Sequence, residues 1–256
     1  MKNCVIFYGI GRNILEFNLF FNFLRTNLTD TDFYYFLYKE DGIIKNNRSN
    51  EYGEIDYSEF SSIPIVFMDV DMTSLSEYSS YINSTRDPHK DNFKTINNLL
   101  KQLCMLKSIS SFLNHSVIYD NVFIFRDDIK FDSFSRCIFK IKTRLNFKFN
   151  LINLSIFSWH GGYNDKFFIS NRSNCIKVCS RIDSVIEFVN HFGYLNAEHL
   201  LKYHIDYHKL KVNPIILRVG RVRINRKVIW DFPFISIFRP RDIFRVVICF
   251  FRNTFS

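Results

Sequence analysis

The first forty residues combine a short apolar run with a stretch in which apolar positions recur every three or four residues. Residues 4–8 are continuously apolar, and Gly9 and Gly11 follow at once. A continuous apolar run that ends at a glycine turn is typical of a buried strand. Positions 14, 17, 20 and 24 are also apolar, which is the spacing of one helix face. The pattern predicts a strand, a tight turn and a helix, in that order.

Strand and helix patterns alternate along the rest of the chain. The predicted strands lie at 33–38, 63–68, 122–125, around 139–154 and near 215–222. The predicted helices lie at 93–113, which has the clearest helical spacing, and near 176–192. Two polar stretches, 39–62 and 74–92, are expected to be a long excursion and an irregular segment. This alternation predicts an α/β fold, with one domain built on a mixed central sheet flanked by helices.

Composition and charge distinguish the body of the chain from its C-terminal end. The 256 residues are 47% hydrophobic, which is enough for one large core and excludes a disordered chain. The formal charge is +9, and residues 218–256 hold nine Lys and Arg against two Asp. A nucleic-acid-binding protein more often spreads its basic residues over a face or a recognition helix. We therefore expect no nucleic-acid partner, with phosphate contact and base stacking by the C-terminal end as an alternative.

Cysteine spacing and the start of the chain indicate the compartment. The six cysteines contain no C-x-x-C pair, and the chain opens on a strand pattern without a secretion leader. Both features predict a reducing, cytosolic location. Cys175 and Cys179 lie four residues apart, but a structural zinc site needs a second pair of ligands, and the sequence has none at a recognisable spacing. No apolar run reaches the roughly 18–20 residues needed to span a bilayer.

The glycine turn after the first strand has two interpretations. A dinucleotide-binding motif would need a third glycine three residues after Gly11, and Ile14 stands there instead. The turn could still bring backbone amides and Arg12 close to a nucleotide base or phosphate at a helix start. The alternative is a plain strand-to-helix turn without a ligand.

Two acidic clusters follow predicted strands and compete as ligands of a metal ion or a ribose. Asp69 and Asp71 follow one strand, and Asp127 and Asp128 follow the strand at 122–125. A magnesium or manganese ion on a diphosphate needs one or two protein carboxylates at such a sheet edge. The second cluster is favoured because Arg126 lies beside it, where it would pair with phosphate.

Residues 119–131, YDNVFIFRDDIKF, give the most specific signal. They resemble the Y-D-x-V-(apolar)-R-x-D-(apolar)-x-F stretch of polysaccharide and lipopolysaccharide glycosyltransferases of the GT-A type. Further pieces occur in the same order, namely N-D-K-F at 164–167, E-H-L-L at 198–201 and R-V-R at 221–223. The resemblance spans about residues 4–225. It implies a GT-A-like (Rossmann-like) domain that uses a nucleotide-sugar donor and, in many such enzymes, Mn²⁺ or Mg²⁺.

The resemblance also implies roles for particular residues. The residues expected at the nucleotide are Tyr8, Gly9, Gly11, Arg12, Arg126, Asp127, Arg221 and Arg223. Asp128 matches the metal-side carboxylate of an Asp-x-Asp element, and Arg126 replaces the first acid of that element, which puts metal dependence in doubt. The residues expected at the acceptor are Asn164, Glu198 and His199. Asp165 is the candidate base and His160 a second catalytic candidate, with a helix N-cap as the alternative for Asp165.

Residues 230–256 form the predicted C-terminal tail and follow a transferase domain at 1–229. The tail mixes four arginines with eight aromatic residues, which suits an anionic lipid surface. The alternative is a final helix packed on the domain, or an oligomer contact, with the arginines facing water. The sequence therefore predicts a cytoplasmic glycosyltransferase, peripheral on the inner face of the membrane, that moves a sugar to a glycan or lipid-linked glycan. The alternative function is a non-catalytic membrane- or glycan-binding module on the same fold.

Overall fold

A computed structural model describes residues 2–40, 44–46, 51–83, 85–87, 90–116, 118–145, 147–157 and 162–231. The strands are β1 Asn3–Gly9, β2 Thr31–Leu37, β3 Ile44–Asn46, β4 Glu51–Gly53, β5 Val66–Met68, β6 Asn121–Arg126, β7 Ile129–Phe131, β8 Ile152–Ser155, β9 Phe167–Asn171, β10 Val212–Ile215, β11 Val219–Val222 and β12 Val228–Trp230. The α-helices are α1 Ile14–Asn27, α2 Leu75–Asn83, α3 Lys94–His115, α4 Ser133–Arg144, α5 Arg172–Cys179, α6 Val185–Phe192 and α7 Ala197–Tyr207. Two 3-10 helices span Tyr57–Ser62 and Ser180–Ser184.

The central sheet has seven strands in the order β10-β8-β9-β6-β1-β2-β5. β1 pairs in parallel with both β2 and β6, whereas β9 is antiparallel to its neighbours β6 and β8. A second sheet, ordered β12-β11-β7, continues from the end of β6. The predicted fold class, a mixed α/β sheet flanked by helices, is confirmed.

Two cores lie on opposite faces of this sheet because its central strands are apolar on both faces. In β1, Cys4, Ile6 and Tyr8 belong to one core, and Val5 and Phe7 belong to the other. The first core includes buried residues of α3, α5, α6 and α7, and the second, rich in phenylalanine, includes those of α1 and α4. Coverage on both faces explains why β1 is a continuous apolar run rather than an alternating one.

The predicted elements before residue 130 largely match the structure. α1 begins after Asn13, whose side chain accepts a hydrogen bond from the Glu16 backbone N at 3.1 Å. The helix predicted at 93–113 is confirmed as α3, which is the longest helix among the described residues. The polar stretch 74–92 was expected to be irregular, and this expectation is wrong because α2 lies within it and packs on α3.

The strand pair expected around 139–154 is half wrong. Phe139 lies in α4, and only β8, at the end of that range, is a strand. Asp132 caps α4 by accepting a hydrogen bond from the Ser135 backbone N at 2.7 Å. Buried Ser135 and Phe139, four residues apart, face the core, and this helical period decides the element.

The end of the described chain belongs to the body of the fold. Trp230 pairs with Gly220 in the second sheet, and the Asp231 backbone N donates to the Val219 carbonyl oxygen at 2.9 Å. The rest of the predicted tail, 232–256, lies outside the described residues. Within the part of the chain that the structure describes, no helix has the length and apolar character needed to cross a membrane.

Candidate active site

The carboxyl ends of β1 and β6 lie side by side, so two turns meet at one edge of the sheet. Tyr8 of β1 is in register with Arg126 of β6, and the Asp127 backbone N donates to the Tyr8 carbonyl oxygen at 3.0 Å. The glycine turn after β1 therefore lies beside the acidic turn between β6 and β7. Ligands of open α/β sheets bind at such an edge, and the sequence placed both turns there.

Asp127 fastens these two turns together. Its Oδ2 accepts hydrogen bonds from the Gly11 backbone N at 2.6 Å and from the Tyr35 hydroxyl at 2.7 Å. Gly9 has a φ of 153°, and a Cβ added there would lie 2.0 Å from Asp127 Oδ1. Burial, with Asp128 next to it, raises the pKa of the Asp127 carboxyl. The Gly11 amide that was expected to approach a nucleotide thus donates to a carboxylate of the protein itself.

Asp128 sits among arginines rather than among neutral donors. Arg126 binds it with two parallel hydrogen bonds, from Nε to Oδ1 at 3.1 Å and from Nη2 to Oδ2 at 2.9 Å. Arg221 Nε lies 3.6 Å and Arg12 Nη1 3.8 Å from the same Oδ2. Although burial opposes ionisation, the charges of these arginines hold the pKa of Asp128 well below its usual range. Asp128 is therefore a buried carboxylate shared by three guanidinium groups.

The arginines themselves are crowded. Burial, together with the charge of Arg126 and the further charges of Arg223 and Arg12, lowers the pKa of Arg221 to about 10. Arg221 Nε is buried and makes no hydrogen bond to any described residue. The positive charge at this point exceeds what Asp128 balances, which is the electrostatic condition for binding an anion.

This arrangement does not fit a divalent cation. Arg126 occupies both oxygens of Asp128, and Asp127 already accepts from Gly11 and Tyr35. Across the described ranges, no three His, Cys, Asp or Glu side chains come together in a way that would hold a metal ion. The competing acids Asp69 and Asp71 do not line the cavities at the arginines.

A cavity of about 430 Å³ opens beside the two turns and is walled on one side by α3. The predicted nucleotide residues Tyr8, Gly9, Arg12, Arg126 and Asp127 line it, together with Asp128. The wall from α3 is mostly polar; apart from Met105 its lining residues are Lys94, Asn97, Asn98, Lys101 and Gln102. Asn97 Oδ1 is buried and has no hydrogen-bond donor among the described residues, so it is an acceptor available to a ligand.

A second cavity of about 500 Å³ adjoins the first and shares Arg12 and Arg126 with it. Its described lining brings together the predicted residues Arg221, Arg223, Asp165 and Glu198. Burial, and then the charge of Asp165, raises the pKa of Glu198 to about 7. Two carboxyl groups, those of Asp165 and Glu198, therefore line one cleft, and burial favours the protonated form of Glu198.

The loop that carries Asp165 rests on the start of α7. A Cβ on Gly162 would lie 2.0 Å from the Glu198 backbone carbonyl carbon, and the Tyr163 backbone N donates to the Glu198 carbonyl oxygen at 3.0 Å. The N-cap alternative for Asp165 is wrong, because strand β9 and not a helix follows it. The Asp165 carbonyl oxygen accepts from the Tyr8 hydroxyl at 3.2 Å, which links the two cavities.

Three other predicted residues are placed outside the two cavities or outside the described chain. Asn164 is buried and donates to the Phe157 carbonyl oxygen at 2.8 Å and to Asp231 Oδ2 at 3.1 Å. His199 Nδ1 is 2.7 Å from the Tyr194 hydroxyl. Neither is among the described residues that line the cavities. His160 lies outside the described residues.

Sequence reasoning missed the polar face of α3. Lys94, Asn97, Asn98, Lys101 and Gln102 follow the same three- and four-residue spacing as the apolar stripe of this helix. An amide-rich stripe on a helix that begins next to a sheet edge was the available signal. The apolar stripe alone is enough to predict the helix and says nothing about a ligand on its polar face.

Among the solved structures to which this chain is similar are three of glycosyltransferases. A complex of the galactosyltransferase LgtC with donor and acceptor sugar analogues is 11% identical, covering 79% of this chain and 70% of that chain, with a TM-score of 0.42. An active-site mutant of LgtC is 10% identical, covering 79% and 69%, with a TM-score of 0.44. Mouse xyloside xylosyltransferase 1, in its apo form, is 8% identical, covering 84% of both chains, with a TM-score of 0.44. No protein-family model and no curated protein sequence matches this chain.

Proposed function

We propose that this protein is a glycosyltransferase that moves a sugar from a nucleotide-sugar donor to a glycan or lipid-linked glycan acceptor. The observation that carries the proposal is the pair of adjoining cavities that meet at Arg12 and Arg126. The first cavity offers amide side chains of α3, which suit the hydrogen-bonding edge of a nucleobase. The arginines at the junction suit the diphosphate, and the second cavity holds carboxyl groups where an acceptor hydroxyl would enter.

In this proposal the reaction is a displacement at the anomeric carbon of the donor sugar. The acceptor oxygen forms a bond to that carbon while the bond to the diphosphate oxygen breaks. Asp165 takes the proton of the acceptor hydroxyl, since a base within hydrogen-bond reach is needed for this transfer. The departing nucleoside diphosphate carries the released electron pair, and Arg126, Arg221 and Arg12 stabilise its charge.

We further propose that the acceptor is presented at an anionic membrane on the cytoplasmic side, through residues 230–256. The support is the tail's composition, four arginines and eight aromatic residues. The alternative expectation from the sequence is a non-catalytic membrane- or glycan-binding module. It differs from this proposal in one measurable respect, because such a module would not turn over a nucleotide sugar.

The test is release of nucleoside diphosphate from a panel of nucleotide sugars, with and without mixed glycan acceptors. We expect one donor family to be turned over, and Asp165→Asn to lower the rate by about 100-fold or more because the base is lost. Asp206→Asn is the matched control, since Asp206 makes an exposed ion pair with Lys202 on α7. Release from no donor, or an Asp165→Asn rate equal to that of the wild type, would reject a transferase of this design.

A further inference from the structure

Asp128 is the only carboxylate among the described residues for which ion pairs with three arginines are found. Arg126 holds it in a two-point contact, while Arg221 and Arg12 approach the same oxygen more loosely, at 3.6 and 3.8 Å. One negative charge therefore faces three positive charges in a buried place. Three guanidinium groups gathered at one carboxylate favour the binding of a further anion, such as a diphosphate group.

The longer ion-pair distances of Arg221 and Arg12 to Asp128 indicate where an anion could bind. Arg221 Nε is buried without a hydrogen bond to any described residue, and Arg221 lines the second cavity while Arg126 lines both. A phosphate oxygen placed between these groups would gain charge-assisted hydrogen bonds that Asp128 does not supply. A divalent cation at the same point would meet guanidinium groups and find both oxygens of Asp128 already bound to Arg126.

We propose that the arginine cluster Arg12, Arg126 and Arg221 binds the diphosphate of the donor without a divalent cation, and that Asp128 serves as the counter-ion that holds the cluster together before the anion arrives. This proposal rests on the proposed function for the identity of the donor. Asp128 is then a positioning residue, and its charge opposes the anion that the arginines attract.

This role reverses the usual expectation for the substitution Asp128→Asn. If Asp128 held a metal ion, its neutralisation would abolish binding of a diphosphate. If Asp128 is a counter-ion, its neutralisation leaves three guanidinium groups uncompensated, which lowers stability without ligand and strengthens anion binding. The sign of the change in affinity therefore distinguishes the two roles.

The experiment is calorimetric titration of the full chain with inorganic pyrophosphate, once in EDTA and once with Mg²⁺. We expect the wild type to bind in EDTA with an affinity at least equal to that with Mg²⁺, and Asp128→Asn to bind about tenfold more tightly in EDTA. Asp183→Asn is the control and should change nothing, because Asp183 forms an exposed ion pair with Lys107. Binding that requires Mg²⁺, or that is lost in folded Asp128→Asn, would overturn the proposal.

A second variant covers the case in which Asp128→Asn does not fold. Arg221→Gln removes one guanidinium group and leaves the two-point contact of Arg126 with Asp128 intact, so we expect a folded protein that binds pyrophosphate about tenfold more weakly in EDTA. Unchanged binding by this variant would also overturn the proposal. Metal-free pyrophosphate binding without turnover of any nucleotide sugar would reject the transferase alone, whereas turnover that depends on Mg²⁺ or Mn²⁺ would reject the metal-free site alone.

Discussion

Asp127 and Asp128 are neighbours in sequence, yet their carboxyl groups do different work. Asp127 accepts hydrogen bonds from the Gly11 amide and the Tyr35 hydroxyl, which are neutral donors, and its pKa is raised. Asp128 accepts from Arg126, and its pKa is lowered. Burial and the charge of Asp128 raise the pKa of Asp127 despite its neutral donors, whereas the charges of the arginines outweigh burial at Asp128. Asp127 therefore joins the two turns by hydrogen bonds, and Asp128 neutralises part of the positive charge of the arginines.

The contact between Gly9 and Asp127 leaves no room for a side chain. We expect Gly9→Ala to lower the free energy of unfolding by more than about 3 kcal/mol, because the new Cβ would overlap the Asp127 carboxyl at an unfavourable φ. Gly193→Ala is the control for φ alone, since Gly193 has a φ of 74° but nothing within 4 Å of an added Cβ. Gly193→Ala should lower the free energy of unfolding by only about 1–2 kcal/mol. Equal losses in urea unfolding would contradict the steric account.

Glu198 should make stability depend on pH. Its pKa is raised from 4.5 to about 7, so the folded protein keeps a proton that the unfolded chain releases between these values. The contribution of Glu198 to stability therefore falls as the pH rises through this window. Glu198→Gln removes this loss, and we expect the stability of the variant relative to the wild type to rise by about 3 kcal/mol between pH 4.5 and pH 8. A constant difference in melting temperature across that range would show that Glu198 ionises normally.

At the scale of elements, α3 serves the core with one face and the first cavity with the other. Its buried stripe includes Leu100, Leu103 and Ile109, and its polar stripe includes Asn97 and Gln102 at the cavity. The sequence predicted the helix correctly because the apolar spacing extends over six turns. It did not reveal the cavity wall, because a polar stripe is also what any solvent-facing helix surface looks like.

The polar stripe of α3 predicts a specific loss of nucleotide binding. Asn97→Ala should weaken binding of the donor's nucleoside diphosphate about fivefold to tenfold, because Asn97 Oδ1 is a buried acceptor in the cavity wall. Stability should hold, since the removed acceptor has no donor among the described residues. Asn114→Ala, on the same helix and exposed, is the matched control. Equal affinities of the two variants in calorimetry would place the nucleotide elsewhere.

α4 shows why some elements were assigned wrongly. Phe139 and Ile141 alternate with Lys140 and Lys142, which is the period of a half-buried strand. The structure buries Phe139 and leaves Ile141 half exposed, because the cap at Asp132 starts a helix. Four alternating residues favour a strand, but the N-cap at Asp132 and the longer helical spacing of the buried residues favour a helix. The same limit applies to α2, whose few apolar residues gain their burial from packing on α3 and α6.

At the scale of the whole molecule, the sheet order explains how much of the site the sequence could reveal. The sequence predicted that the residues at the ends of β1 and β6 belong to one site, because each strand is an apolar run followed by a turn, glycine-rich after β1 and acidic after β6. Arg221 and Glu198 were named only through a family resemblance, since nothing local says that β11 and α7 reach the same cleft. The second sheet brings Arg221 to Asp128, through a Val222 amide that donates to the Asp128 carbonyl oxygen at 2.6 Å.

The predicted membrane contact belongs to this scale as well. Deleting residues 232–256 removes four arginines and one aspartate and leaves Asp231, which forms an ion pair with Lys166 in the body. We expect the shortened chain to keep its nucleotide affinity and to lose flotation with vesicles of anionic lipid, because the basic aromatic segment is gone. Vesicles of neutral lipid are the control for the full chain. If the shortened chain still floats with anionic vesicles as well as the full chain does, the membrane contact lies in residues 1–231 instead.

The most direct test of the central claim is a crystal structure of the full chain with the nucleoside diphosphate of its donor, grown in EDTA. The account predicts the diphosphate within about 3 Å of Arg12, Arg126 and Arg221, with the base against Asn97 of α3 and no metal between phosphate and Asp128. A nucleotide bound away from these two cavities, or one held to Asp128 only after a divalent cation is added, would contradict it.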